Sequence, residues 1–462
     1  MLKTVAEHLA EDPKVQMGKK LLLEALEHHQ KGITGVRGPL PGRELAYSDL
    51  VKQFGELRGG ALFFPYLGSG MGKGALVELA DGSVKYDFIS GIGVHHWGHS
   101  HPRIAEALLH AALKDTVQQG NLQQNVESAT LARDLVAGAN RRGAALKHCF
   151  FSTSGAMANE NALKIVLQKK YPADRILAFE GCFMGRTLTL SQITDKPEYR
   201  EGLPETIHVD YIPFFDPEDP TGSIQRSLAA LKRHIRRYPG KHAVMAFELI
   251  QGEGGFNAGA RDFFVPLMEE LKNHDIPVLV DEVQTFGRTS ELFAFQHFSL
   301  DRYVDVVTLG KAALVCATLF TEELKPRAGL LSQTFTAGTG AILASQVVIR
   351  NLLEGGYFGP RGKIVRIHEH VVRRLEEIRH RRPGLITGIH GIGAMIAFTP
   401  FGGEPERVKK LIHALFDAGV ICFYAGAEVL RVRFLLPVGA VSFEDIDAGM
   451  AIMEEVLVDL TD

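Results

Sequence analysis

Apolar strand-like runs alternate with amphipathic helical stretches between residues 101 and 335, and this alternation constrains the fold more than any other feature. The predicted strands are Cys149–Ser152, Ile176–Phe179, Ile207–Ile212, Val244–Glu248, Val278–Asp281 and Val304–Leu309. The predicted helices are His101–Gln118, Glu127–Asn140, Ala156–Lys170, Gly222–Arg237 and Asp262–Asn273. Such alternation predicts an α/β fold in which a mostly parallel sheet lies between layers of helices.

Two of the predicted strands end at ionisable residues. The run PVLVDEVQ (277–284) loses its apolar character at Asp281, and the run VDVVTLGK (304–311) closes on Lys311. Ligands bind at the carboxyl edge of open α/β sheets. A lysine that forms a Schiff base and a carboxylate that keeps a pyridine nitrogen protonated are the pair that pyridoxal 5'-phosphate (PLP) chemistry needs. Taken alone, the pair is better explained by a loop cap and a solvated charge.

The length of the chain predicts more than one domain, because 462 residues exceed what one hydrophobic core usually supports. We predict a large PLP-binding domain over 101–340 and a small α+β domain over 341–462. Residues 1–100 are predicted to contribute to the small domain and to dimer and active-site contacts. Within them, ALVELADGSVKYDFIS (75–90) predicts a hairpin that turns at Asp81-Gly82.

The composition argues against several kinds of partner. A net charge of −3 gives no electrostatic reason to expect nucleic acid or an anionic membrane. No run approaches the roughly 18 apolar residues of a membrane span, and the polar N-terminus lacks a signal-peptide core. We therefore expect a cytoplasmic protein with four buried free thiols, at Cys149, Cys182, Cys316 and Cys422. No metal is expected, since the spacing of His95, His96, His99 and His101 is not that of a zinc site.

Two loop segments carry further candidate residues. The turn Ser154-Gly155-Ala156 joins a strand to a helix, and free amides at a helix N-terminus suit a phosphate. Phe183 has the shape to lie on a heteroaromatic ring, and Arg186 the geometry to hold a carboxylate. Each of these residues also has an ordinary structural explanation, as a βα turn, a core aromatic residue or a surface charge.

The order and identity of these segments resemble the class III, fold-type I PLP-dependent aminotransferases over roughly residues 60–455. These enzymes act on ornithine, acetylornithine, 4-aminobutyrate and lysine side chains. The matching stretches are SGIGVHHWGHSHP (90–102), STSGAMANE (152–160), EGCFMGRT (180–187), ELIQGEGG (248–255), DEVQTFGRT (281–289), TLGK (308–311), SQTF (332–335), GIHGIGAMIAF (388–398) and VLRVRF (429–434). The resemblance implies a large domain with a seven-stranded type of sheet and a smaller α+β domain.

The resemblance also implies how the cofactor ring is bound. Lys311 is implied to be the Schiff-base lysine and the proton shuttle, and Asp281 to protonate the pyridine nitrogen. Phe183 and Val283 are implied to enclose the ring, and Gln284 to reach its phenolic oxygen.

The phosphate and the assembly are implied by other positions. Ser154, Gly155 and Ala156 match the phosphate-binding turn, and Glu248 is placed beside the cofactor. Thr334 matches a threonine that reaches the phosphate from the neighbouring subunit. The resemblance therefore implies a homodimer with shared active sites.

The resemblance assigns the substrate-binding residues less uniquely than the cofactor-binding residues. Arg186 matches a residue that holds one carboxylate of a dicarboxylic substrate. Glu253 matches the acidic member of a pair that opens for the α-carboxylate of glutamate, and its partner is Arg433 or Arg431. Tyr66 lies in a region that brings aromatic residues near the reacting amine, and a structural tyrosine explains it equally well.

The predicted activity is transamination of a primary ω-amine or a diamino acid with 2-oxoglutarate as the amino acceptor. An aminomutase or decarboxylase of the same fold, or a catalytically silent relative, is the alternative. The sequence departs from the family at Met157, where glutamate is common, and at TFTAGTG (334–340), where TFGGNP is common. These departures leave the identity of the amine donor open. The Met157 position slightly favours a member similar to the lysine 6-aminotransferases.

Overall fold

The computed structural model describes residues 2–461. In its N-terminal part the helices are α1 (Val5–Glu11), α2 (Pro13–Gln30), α3 (Glu44–Leu57) and the single turn α4 (Ser90–Gly93), and the strands are β1 (Gly68–Lys73), β2 (Leu76–Leu79) and β3 (Val84–Asp87). The predicted hairpin over 75–90 is confirmed, because Leu76 pairs antiparallel with Tyr86. Gly82 forms its turn at a φ of 85°, a conformation that strains other residues.

The middle of the chain contains the largest sheet. Its helices are α5 (Pro102–Ala111), α6 (Val126–Ala139), α7 (Gly155–Lys170), α8 (Leu188–Ile193), α9 (Pro220–Arg237), α10 (Arg261–Asn273), α11 (Ala294–His297) and α12 (Thr339–Glu354). Its strands are β4 (Val117–Gln118), β5 (Leu146–Ser152), β6 (Arg175–Phe179), β7 (His208–Ile212), β8 (His242–Phe247), β9 (Ile250–Gln251), β10 (Asn257–Ala258), β11 (Val278–Glu282), β12 (Val306–Leu309), β13 (Cys316–Thr321) and β14 (Ala337–Gly338).

Seven of these strands form the central sheet, in the order β5-β13-β12-β11-β8-β6-β7. Strand β13 runs antiparallel to both of its neighbours, and the other pairings are parallel. Every residue of β8 and β11 is buried, as expected of strands covered by helices on both faces. The predicted mostly parallel sheet is confirmed, and the sequence did not predict its antiparallel member β13.

The helix predicted over 101–118 is too long. It ends at Ala111, and residues beyond it pair with a distant segment instead. The carbonyl oxygens of Thr116 and Gln118 accept hydrogen bonds from the amides of Thr339 and Thr336, at 3.0 and 3.2 Å. Long-range pairing therefore overrides the local helical preference of this stretch.

The C-terminal part contains the helices α13 (Lys363–Arg381), α14 (Pro405–Ala418) and α15 (Phe443–Asp459), and the strands β15 (Ile386–Ile392), β16 (Met395–Pro400), β17 (Val420–Ile421), β18 (Phe423–Ala425) and β19 (Arg431–Leu435). Four strands form a sheet in the order β15-β16-β19-β18, while β17 pairs in parallel with β3 of the N-terminal part. This pairing supports the proposal that residues 1–100 contribute to a small domain with residues 341–462.

None of the helices within residues 2–461 combines the length and the apolar character that a bilayer span requires.

Candidate active site

Adjacent parallel strands bring Asp281 and Lys311 to one edge of the central sheet. Asp281 lies in β11 and pairs in register with Thr308 of β12. Strand β12 ends at Leu309, and Lys311 opens a short 3-10 turn at a φ of 47°, which is uncommon for a residue with a side chain. Both residues line one cavity of about 450 Å³, which we call the inner cavity. Unusual backbone conformations persist where the surrounding structure imposes them, often at functional sites.

Most of the residues predicted from the sequence meet at the inner cavity. Those that line it are Gly155, Ala156, Phe183, Arg186, Glu248, Glu253, Asp281, Val283, Gln284 and Lys311. The lining also contains residues that the sequence did not predict, namely Val94, Asn159, Met184, Gly185, Gly252, Leu314 and Cys316. Asn159 follows Gly155 by four residues on α7, so helical periodicity was the signal that could have identified it.

Asp281 is held as a buried carboxylate by two donors. The Asn159 Nδ2 donates to Asp281 Oδ2 at 2.7 Å, and the Val283 amide donates to Oδ1 at 2.8 Å. Asn159 is itself fixed, since its Oδ1 accepts from the Thr308 hydroxyl at 2.7 Å. Burial raises the pKa of Asp281, and the two hydrogen bonds and the Lys311 charge oppose that shift. The two donors fix the orientation of this carboxylate at the wall of the inner cavity.

The amine of Lys311 lies in surroundings that disfavour its protonated form. Burial, reinforced by the cations of Arg433 and Arg288, lowers the pKa of Lys311 to about 8, against the opposing charges of Glu253 and Asp281. A basic group whose pKa lies near the working pH is suited to accepting and returning a proton.

Glu248 shapes the inner cavity through the backbone. Its carboxylate accepts from the amides of Phe183 and Gly252, both at 2.9 Å. Burial and the nearby charge of Asp281 raise the pKa of Glu248 to about 8. Glu248 thereby joins the loop that carries Phe183 to the loop that carries Glu253.

A buried arginine missed by the sequence analysis connects two other lining segments. Arg288 is 0% exposed, and it donates to the carbonyl oxygens of Gln284, at 3.2 Å, and Gly93. Its burial lowers its pKa to about 9. The contact fixes the N-terminal segment around Val94 against the strand end that bears Gln284.

A second cavity of about 720 Å³, the outer cavity, shares Phe183, Arg186, Glu253 and Lys311 with the inner one. Arg433 lines it, is 1% exposed, and donates from Nη2 to Glu253 Oε1 at 2.6 Å. Burial by itself would raise the pKa of Glu253, but the Arg433 charge and hydrogen bond hold it below its usual value. A compensated ion pair therefore lines the same cavity as the Lys311 amine.

The structure distinguishes between the two candidate arginines. The Nη1 of Arg431 donates to the Gly255 carbonyl oxygen at 2.6 Å and to Asn257 Oδ1 at 2.7 Å, and Arg431 does not line either cavity. Arg433 is thus the arginine that Glu253 neutralises.

Arg186 is exposed and stacks on Tyr199, another residue that the sequence analysis missed. Its guanidinium lies 4.0 Å from the centre of the Tyr199 ring, and Nη2 donates to the Tyr199 hydroxyl at 2.9 Å. Tyr199 lies in a loop with no periodic pattern, so its approach to the outer cavity left no signal in the sequence.

Three predicted residues lie outside both cavities of the described chain. Ser154 caps α7, accepting from the Met157 amide at 3.1 Å. Thr334 is exposed on the loop before α12. Tyr66 is partly buried near Asp87 and Tyr47, and its role in the substrate pocket stays a prediction.

The residues of the inner cavity fit PLP. The Lys311 amine and the buried Asp281 carboxylate line the same cavity. Gly155 and Ala156, the first two residues of the 16-residue helix α7, also line it, and backbone amides at a helix N-terminus suit a phosphate. The amide oxygen of Gln284 is buried without a hydrogen-bond partner among residues 2–461, as expected of a polar group that a ligand completes.

Comparisons with known proteins agree with this fit. The family described as Aminotransferase class-III matches residues 67–457. The acetylornithine aminotransferase of Methanocaldococcus jannaschii is 31% identical over 409 residues, which cover 84% of this chain and 93% of that protein. The acetylornithine aminotransferase of Aquifex aeolicus is 29% identical over 410 residues, 84% of this chain and 96% of that protein.

Solved structures show the same fold. The lysine aminotransferase from M. tuberculosis has a TM-score of 0.79 at 23% identity, covering 89% of this chain and 99% of that one. The ornithine aminotransferase from Toxoplasma gondii has a TM-score of 0.77 at 20% identity, covering 91% of this chain and 96% of that one. The chain therefore belongs to the class III aminotransferases, and it is a PLP-dependent enzyme that transfers amino groups.

Proposed function

We propose that the enzyme moves an amino group from a terminal amine of a diamino acid, or of a related ω-amine, to 2-oxoglutarate. The observation that carries this proposal is the ion pair between Glu253 and Arg433 beside Lys311. An ω-amine has no carboxylate next to its reacting carbon, whereas 2-oxoglutarate does. A site that serves both needs an arginine whose charge is neutralised in one half-reaction and available in the other.

The chain's own residues then divide the chemistry between them. PLP, when bound, supplies an electrophilic aldehyde and a ring that withdraws electrons. Lys311 Nζ removes a proton from the substrate carbon and returns one. With PLP bound, the Asp281 carboxylate would keep the ring nitrogen protonated, and Phe183 and Val283 would enclose the ring. The amides of Gly155 and Ala156 would hold the phosphate.

The two ends of 2-oxoglutarate are proposed to meet different arginines. Arg433 binds the carboxylate next to the reacting carbon after Glu253 turns away from it. Arg186, exposed at the outer cavity, binds the distal carboxylate after leaving Tyr199. Guanidinium groups suit this purpose because they bind carboxylates with two parallel hydrogen bonds.

The similar proteins include acetylornithine, ornithine and lysine aminotransferases, and their names support a terminal-amine donor. A panel of these three amines, 4-aminobutyrate and an α-amino acid, each with 2-oxoglutarate, tests the proposal. The α-amino acid in the panel is one other than glutamate. We expect turnover with at least one terminal amine to be faster than turnover with this α-amino acid. Turnover with α-amino donors alone would contradict the proposal.

Glu253→Ala and Arg433→Ala are expected to act in opposite directions on the two half-reactions. Removing Glu253 leaves Arg433 uncompensated and favours glutamate over ω-amines, by roughly tenfold or more. Removing Arg433 selectively slows the glutamate and 2-oxoglutarate half-reaction, by roughly 10- to 100-fold. Single-turnover rates for each half-reaction provide the measurement.

Arg431→Ala is the matched comparison, because Arg431 holds the Gly255 carbonyl rather than Glu253. We expect it to affect both half-reactions alike. Equal losses in both half-reactions for the Glu253 and Arg433 variants would show that this ion pair is only structural.

We further propose a homodimer in which Thr334 completes the phosphate site of the partner subunit. Thr334 is exposed, and the adjacent Phe335 is 62% exposed. Hydrogen bonds tie this loop to residues 118–121, and the next residue, Leu122, is 84% exposed. Exposed apolar side chains on two joined loops are typical of an interface. The cytoplasmic location also stays a proposal, supported by the free state of all four cysteines.

The dimer proposal predicts that Thr334→Ala weakens PLP binding about tenfold without dissociating the subunits, because one hydrogen bond to a charged phosphate is lost. Equilibrium dialysis of PLP and sedimentation measure the two properties. Ser332→Ala, on the same exposed loop, is expected to change neither. A fully active monomer loaded with PLP would refute the proposal.

A further inference from the structure

Glu253 has a second cationic neighbour in the outer cavity. The Nζ of Lys196 lies 3.9 Å from Glu253 Oε2, and Lys196 lines the outer cavity together with Arg433. The side chains of Lys196 and Glu253 are both mostly buried, 17% and 18% exposed. Within residues 2–461, no other carboxylate lies within 4.0 Å of this ammonium group. Glu253 therefore has two cationic neighbours: Arg433, which donates a hydrogen bond to it, and Lys196, which lies nearby.

The backbone of Lys196 is fixed by its own loop. Its amide donates to the Thr194 carbonyl oxygen at 2.9 Å, and its carbonyl accepts from the Tyr199 amide at 3.0 Å. Its ammonium lies 5.4 Å from the centre of the Tyr199 ring. The side chain is thus presented to the outer cavity from a short, well-bonded turn.

The backbone of Glu253 is equally constrained. Its carbonyl accepts from the Gly426 amide at 2.9 Å, and the Gly252 carbonyl accepts from Arg433 Nη1 at 3.1 Å. A side chain at Gly252 would come within 2.3 Å of Gln284, and one at Gly254 within 2.9 Å of Gln251. These hydrogen bonds and close approaches hold the backbone of the loop, so a turn of Glu253 is a rotation of its side chain.

The carboxylate is already oriented for such a turn. Oε1 accepts from Arg433 at 2.6 Å, while Oε2 faces Lys196 at 3.9 Å. A rotation that brings Oε2 about 1 Å closer to Lys196 makes a normal ion-pair hydrogen bond. A further turn of the carboxylate onto Lys196 would release Oε1 from the Arg433 guanidinium.

We propose that Lys196 is a positioning residue that receives Glu253 when Arg433 binds a substrate carboxylate, and so determines how well the enzyme accepts 2-oxo acids. The inference rests on the proposed function, because it requires Arg433 to be released in one half-reaction. Without Lys196, the displaced Glu253 carboxylate would be left partly buried and uncompensated beside the incoming anion. Leaving a buried charge without its partner is costly, and a second cation removes that cost.

Lys196→Met tests this inference in the PLP-loaded enzyme. We expect the half-reaction with 2-oxoglutarate to slow about tenfold, mainly through a higher KM, because the state with Arg433 free becomes less populated. The half-reaction with an ω-amine donor is expected to change less than about twofold, since Glu253 stays on Arg433 there. Lys196→Arg, which keeps the charge, is expected to restore most of the loss.

A double substitution separates action through Glu253 from direct contact with the substrate. If Lys196 acts through Glu253, Lys196→Met adds less than about a twofold effect in a Glu253→Ala background. If the full tenfold effect persists in that background, Lys196 binds the substrate itself and the inference is wrong. Lys232→Met is the matched control, because Lys232 faces Glu270 at 3.5 Å and lines neither cavity.

Failure of the inference and failure of the proposed function give different results. A wild-type enzyme that 2-oxoglutarate does not regenerate overturns the proposed function and the inference with it. A wild-type enzyme that is regenerated, combined with a Lys196→Met variant that is equally slow in both half-reactions, overturns the inference alone. A selective loss that depends on Glu253 supports it.

Discussion

Replacing Lys311 with alanine is expected to reduce turnover by roughly 10³-fold or more, because the group that moves the substrate proton is lost. The fold is expected to survive. Lys311 already holds a φ of 47°, which alanine inherits without new contacts, and its amine projects into the inner cavity rather than into packed side chains. Removing a buried amine also removes its desolvation cost.

Two measurements in addition to turnover test the Lys311 prediction. Borohydride treatment followed by mass spectrometry is expected to attach PLP to the Lys311 peptide in the wild type and not in the variant. Thermal unfolding is expected to shift little. Lys147→Ala, at an exposed position of β5, provides the control and is expected to behave like the wild type. Multiple turnovers by Lys311→Ala would assign the role to another lysine.

Asp281→Asn is expected to slow turnover by roughly 10²- to 10³-fold, because an amide does not stabilise the positive charge of a protonated ring nitrogen. Stability is expected to fall by only about 1–3 kcal/mol, the usual cost of a mismatched buried donor. The mismatch arises because Asn159 Nδ2, which donates to Asp281 and to the Met184 carbonyl, would then face a second amide group.

Rates with saturating PLP and a denaturation curve separate the two effects of Asp281→Asn. Asp305→Asn is a suitable control, since Asp305 also accepts a backbone amide, that of Val278 at 2.8 Å, but lies outside both cavities. We expect it to retain the wild-type rate. Turnover of Asp281→Asn within a few-fold of the wild type would rule out a role for this carboxylate in activating the ring.

Local patterns predicted most of the central sheet, and long-range pairing set the parts that they missed. Buried parallel strands such as β8 and β11 are continuous apolar runs, which a sequence displays directly. Strand β13 and the early end of α5 follow from pairing with distant partners, β5 and the 336–339 segment. No window of the sequence around them contains those partners.

The proximity of the two candidate residues for the cofactor was predictable for a similar reason. Asp281 and Lys311 lie at or just beyond the ends of adjacent strands, so sequence position alone placed them together. Tyr199 and Lys196 were not predictable, because they approach the site from a loop whose path depends on contacts elsewhere. The choice between Arg431 and Arg433 likewise required the structure, because residues two apart in a strand share one face and the alternation along β19 does not separate them.

The joining of β3 to β17 has a consequence for synthesis of the chain on the ribosome. Lys85 donates to the Phe416 carbonyl oxygen at 2.7 Å, across 331 residues of sequence. At translation rates of roughly 5–20 residues per second, the N-terminal strands wait about 15 to 65 s for their partner. During that interval the edge of β3 that pairs with β17 in the finished protein has no strand partner, although β1 and β2 are already synthesised. We therefore expect nascent chains stalled before residue 420 to be captured by chaperones that bind apolar segments, and full-length chains to be released from them.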